Sequence, residues 1–126
     1  MRIWLSIIVV SLLQSPTAPK KGGNPEAAKV KNPIAVSSES TAAGKRVYTR
    51  MCGRCHGSEG KGDGTAATAP VPDLTDGKWD YGGSDGEIFS VIHDGVSTDM
   101  DGYAARLSDT DIWNVVNFVR SVAAKP

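Results

Sequence analysis

Cys52-Gly53-Arg54-Cys55-His56 is the stretch on which the reading of this chain turns. Cysteines at i and i+3 of a helical turn present both sulfurs on one side. Thiols so placed can add to the two vinyl groups of one haem, and a histidine directly after the second cysteine can reach the iron. This pattern is far more specific than a bare Cys-x-x-Cys. A zinc site would need a fourth ligand. The only other histidine is His93, and there is no further cysteine. A thioredoxin-like pair would open a helix after a strand, whereas this motif ends a helix.

The chain also offers candidates for the opposite side of the iron. Met1 belongs to the N-terminal apolar segment. Met51 adjoins Cys52 and cannot easily swing to the far face. Met100 lies 44 residues after His56, in the loop Val96 to Leu107. That separation lets the chain wrap a cofactor. His93 is the alternative, although a histidine in the last turn of a helix more often serves the helix C-terminus.

Three helical patterns flank these residues. The first runs from about Thr41 into Cys52. The second opens at Ser84 with Glu87 as a capping box, carries Ile88, Val91 and Ile92, and stops at Gly95. The third opens at Ser108 with Asp111 and shows the stripe Ile112, Val115, Val116, Val119 and Val122. No useful period-2 run occurs. The expected class is all-α, with three main helices wrapped around one covalently bound haem and joined by long Gly/Pro-rich loops.

Composition agrees. The 126 residues allow one domain. Residues 41–126 hold 22 large apolar side chains outside cysteine and alanine, a thin core that needs a staple, metal or cofactor. A disulfide between Cys52 and Cys55 would close a tiny loop and constrain little. Lys+Arg and Asp+Glu both total 14. That leaves no basic face for nucleic acid. The balance is a sum of unlike parts: five cations and two acids fall in the first 40 residues, nine and twelve in the rest. Gly57 to Gly64 lacks the glycine spacing and the Ser or Thr of a phosphate loop.

The N-terminal part reads differently. Arg2 followed by the apolar run Ile3 to Leu13 resembles a secretory signal over residues 1–18, with no clear cleavage point. The alternatives are a retained anchor and a buried strand. Residues 19–40, rich in proline and lysine, read as a flexible linker. Residues 41–126 are the folded domain. The expected location is the periplasm or another exported compartment, membrane-tethered if the N-terminal segment is retained.

With these residues in view, residues 41–126 resemble the class I c-type cytochromes, specifically the short bacterial monohaem kind. Gly44 and Tyr48 look like the family's small-residue and aromatic pair where the first helix crosses the last, with Trp113, Val116 and Phe118 as partners. Pro72-Asp73-Leu74 looks like its Pro-x-Leu segment. The resemblance implies that the Pro72 carbonyl accepts the His56 Nδ1–H and that Leu74 packs on the haem. Trp79 and Tyr81 are candidates for hydrogen bonds to the haem propionates, or ordinary edge-of-core aromatics. One departure is plain: the family often places proline directly after the ligand methionine, and here Asp101 follows Met100.

The expected function is one-electron transfer by haem c, ligated by His56 and Met100, between exported or membrane-bound redox proteins. With both axial positions filled there is no site for substrate, so no enzyme activity is expected of the chain itself. A haem enzyme or gas sensor with a labile Met100 is the alternative, and a non-haem metal or redox module is a third.

Overall fold

A computed structural model describes residues 15–124. The elements in chain order are α1 (Pro25–Ala28), α2 (Ser38–Met51), α3 (Gly53–His56), α4 (Asp85–Asp94), β1 (Gly95–Ser97), β2 (Met100–Asp101) and α5 (Asp109–Val122). The apolar run Ile3 to Leu13 lies outside the described residues. No described helix is long and apolar enough to cross a membrane.

Helices α2 and α5 cross in close contact, and Gly44 is why they can. A Cβ at Gly44 would run into the Asn114 carbonyl and touch Phe118 Cβ. One turn on, the Tyr48 and Phe118 rings meet at 4.9 Å between centroids. The crossing partners are thus Asn114 and Phe118. Trp113 instead stacks on Phe89 of α4, at 4.0 Å. The stripe of α5 is buried through Ile112, Val115, Val116 and Val119. Each such side chain contributes about 1.5–3 kcal/mol when fully buried.

Side-chain caps set the helix starts. Ser84 with Glu87 and Ser108 with Asp111 form the capping boxes expected at α4 and α5. Helix α2 starts earlier than Thr41, because Ser37 and Ser40 cap one another's backbone. Helix α4 stops at Gly95, which adopts φ +73°, a conformation that favours glycine. A short antiparallel ladder, β1 with β2, follows directly and carries Met100. Two or three residues are too few to leave an alternating pattern in the sequence.

Residues 19–40, expected as a linker, run in the structure as a strap. This strap packs on the helices, and its polar residues hold it. Asn24 is buried. Its Nδ2 donates to the carbonyls of Pro16 and Ala18, and its backbone N–H donates to Glu87 Oε1 at 2.8 Å. Asn32 Nδ2 donates to Asn117 Oδ1 at 2.9 Å, and Asn117 Nδ2 donates to the Ile34 carbonyl. Ala27 is fully buried, and a Cβ on Gly86 would strike the Ala27 carbonyl. A composition of proline, lysine and asparagine conceals this, because the contacts are hydrogen bonds rather than an apolar stripe.

Candidate functional site

Helix α2 ends at Met51, and the one-turn helix α3 presents Cys52, Cys55 and His56 to a single cavity of about 290 Å³. Helices α4 and α5 supply apolar walls through Ile88, Ile92, Val115 and Val119. The strand β2 brings Met100 to the same space. Pro72, Leu74, Trp79 and Tyr81 line it as well. All eight residues singled out in the sequence therefore converge, from four segments of chain. Met51 and His93 are not among the lining residues.

The cysteines are free thiols, both half-buried. Burial, and then the neighbouring Cys55, push the Cys52 thiol up to about 11. A reactive redox pair needs the opposite shift, a stabilised thiolate. Burial also holds the His56 imidazole below its ordinary value, which keeps the ring neutral and a nitrogen lone pair available.

His56 Nδ1 is buried and has no hydrogen-bond partner among the described residues. The bond from Nδ1 to the Pro72 carbonyl, implied by the family resemblance, is thus not made. The Val71 and Pro72 carbonyls lie against Gly62 instead, which leaves them room by lacking a side chain. Two thiols, a neutral imidazole and a thioether on a largely apolar cavity fit a covalently attached haem.

The backbone after the motif is firmly held. The Tyr48 hydroxyl donates to the Gly57 carbonyl at 2.7 Å. Burial, then Cys52 and Asp63, push that phenol up to about 12. Gly62 N–H donates to the His56 carbonyl at 2.8 Å, and Leu74 N–H to the Gly60 carbonyl at 2.7 Å. The second bond fixes Leu74 on the cavity. Trp79 is seated over Gly83, where a Cβ would meet the indole ring at 2.5 Å.

His93 turns to other work. Its Nδ1 lies 2.7 Å from Asp94 Oδ1, and its Nε2 lies 3.7 Å from Asp109 Oδ1. Its ring stacks on Phe89 at 5.3 Å. This histidine bridges the end of α4 and the start of α5.

Sequence reasoning missed Tyr103. Its ring lines the cavity, and its hydroxyl donates to the Met51 carbonyl at 3.0 Å. An aromatic three residues after Met100, in a loop of acids and glycine, was the available signal.

A helical fold with these donors on one apolar cavity defines a c-type cytochrome domain. Residues 39–119 match the family model described as "Cytochrome C oxidase, cbb3-type, subunit III", and the chain belongs to that family. It is 30% identical over 94 residues to a Cbb3-type cytochrome c oxidase subunit CcoP of Rubrivivax gelatinosus, covering 74% of this chain and 29% of that relative. The chain thus spans less than a third of that relative's length. Among solved structures it is similar to a chain of the Kuenenia stuttgartiensis reducing HAO-like protein complex (TM-score 0.67, 30% identity, 75% of this chain and 50% of the other). It is also similar to cytochrome cL from Methylophaga aminisulfidivorans (TM-score 0.60, 25% identity, 81% and 60%). The fold class and the haem-based electron transfer expected from the sequence agree with these relatives.

Proposed function

We propose that the chain is a monohaem electron-transfer module, in which Cys52 and Cys55 would hold haem c through thioether bonds and His56 Nε2 and Met100 Sδ would ligate its iron. The observation that carries this is the meeting of two thiols, an imidazole and a thioether on one apolar cavity. When bound, the haem supplies a one-electron couple at its iron. The protein's residues do the rest. His56 is held neutral and able to ligate. The Met100 thioether favours the softer, reduced iron, and the apolar walls disfavour the extra charge of the oxidised state, so both raise the potential. Leu74 lines the cavity from the loop side and would pack on the haem. Trp79 and Tyr81, which line the cavity, have an indole N–H and a phenol O–H to offer the propionates.

The partners on this reading are redox proteins, including a membrane-bound redox complex, because a relative carries the name of an oxidase subunit. Arg2 and the apolar run Ile3 to Leu13 support export. The chain relays electrons and carries no catalytic residue of its own.

Intact mass of the protein purified from the periplasm tests this. The expected result is a single added haem that survives denaturation. Protein with unmodified Cys52 and Cys55 and no haem would overturn the proposal.

A further inference from the structure

Met100 has no proline after it, so its place on the cavity wall needs another constraint. The ladder that carries it is short and bulged between Gly95 and Ser97, and Ser97, Thr98 and Asp99 are exposed. The far end of the loop is better held, and the contacts converge on Tyr103. Its backbone N–H donates to the Ile92 carbonyl in the last turn of α4, at 2.9 Å. Its carbonyl accepts from the N–H groups of Arg106 and Leu107, both at 2.9 Å, closing the turn that leads to α5. The Arg106 guanidinium lies over its ring, 4.2 Å from the centroid. Its hydroxyl reaches across 52 positions to the Met51 carbonyl. Met51 ends α2 and directly precedes Cys52.

We propose that Tyr103 is a positioning residue: its hydroxyl, bonded to the Met51 carbonyl, clasps the Met100 loop onto the helix end that carries the attachment motif, and so sets how readily Met100 leaves the iron. This rests on the reading of Met100 as the second axial ligand. The physical reason is simple. For Met100 to withdraw, the loop must lift, and the hydroxyl bond joins that loop to α2. A half-buried hydrogen bond changes an opening equilibrium by about 2- to 12-fold.

Tyr103→Phe in the holoprotein keeps the ring, the cavity wall and the contact with Arg106, and removes the hydroxyl alone. The expected result is unchanged covalent haem content and far-ultraviolet circular dichroism, with cyanide binding to the oxidised protein about fivefold faster. The Met-to-iron charge-transfer band should also disappear at a lower temperature than in the wild type. Arg106→Gln, which uncovers the ring but leaves the hydroxyl, should accelerate cyanide about twofold. Asn117→Ala, which loosens the strap far from the loop, should lower the urea midpoint and leave the cyanide rate unchanged. Wild-type cyanide kinetics in Tyr103→Phe, or equal acceleration in Asn117→Ala, would overturn the clasp. Failure of the ligand reading itself looks different: the wild-type oxidised protein would show no such band and would bind cyanide without delay.

Discussion

The backbone N–H of Asn24 donates to Glu87 Oε1 at 2.8 Å, joining the strap to α4 across 63 positions of sequence. The same carboxylate accepts from the Ser84 backbone and hydroxyl through Oε2, at 3.1 and 2.7 Å. One buried acid therefore both caps α4 and anchors the strap. Burial alone would raise its pKa, but the bonds from Ser84 and Asn24 outweigh burial and hold it below the ordinary carboxylate range. A carboxyl whose folded pKa is depressed adds stability that is present above its unfolded value. That stability is lost as pH falls through the folded value. Urea midpoints should therefore fall with pH below about 4. Glu87→Gln should cost about 1–3 kcal/mol at neutral pH and flatten that acid slope. A variant as pH-sensitive as the wild type would contradict the role given to Glu87.

Asn117 has a similar place in the core. It is 1% exposed, accepts from Asn32 Nδ2 and donates to the Ile34 carbonyl and Ser40 Oγ. Asn117→Ala should cost about 2 kcal/mol, since it leaves buried partners unsatisfied. A chain begun at Ser37 should likewise melt below the full chain. Equal thermal midpoints for the full and shortened proteins would return residues 15–36 to the status of a linker.

Gly44 admits no side chain. Gly44→Val would force a branched side chain against the Asn114 carbonyl and Phe118, which prises apart the helices that carry the cavity walls. A loss of about 3 kcal/mol or more, seen as reduced yield of folded protein, is expected. A urea midpoint within error of the wild type would mean the two helices do not cross as described.

The proposed attachment through the cysteines can be separated from ligation. Cys52→Ala with Cys55→Ala should abolish haem that persists through denaturing electrophoresis, while His56 and Met100 remain able to hold haem non-covalently. Haem-stained protein in the double variant would sink the attachment role.

Much of this was legible in the sequence, and the reasons are physical. Cys52, Cys55 and His56 form a local motif whose spacing is its chemistry, so no tertiary knowledge was needed. Ser84 with Glu87 and Ser108 with Asp111 mark helix starts because a cap acts over three residues. The strap was not legible, because Asn24, Asn32 and Asn117 act over 63 to 85 positions through hydrogen bonds that leave no periodic trace. Tyr103 was hidden for a related reason: its partner is a backbone carbonyl, which every residue possesses. Of the partners expected for Gly44 and Tyr48, Phe118 meets both; the Asn114 carbonyl against Gly44 was hidden because every residue carries one.

The proposed ligation by His56 and Met100 is tested by one spectrum. The oxidised absorption spectra of Met100→Ala and Met51→Leu should be recorded side by side with the wild type. The Met-to-iron charge-transfer band is expected in the wild type and in Met51→Leu, and lost in Met100→Ala, which should also bind cyanide at once. A band that persists in Met100→Ala, or that vanishes in Met51→Leu, would contradict the assignment of Met100.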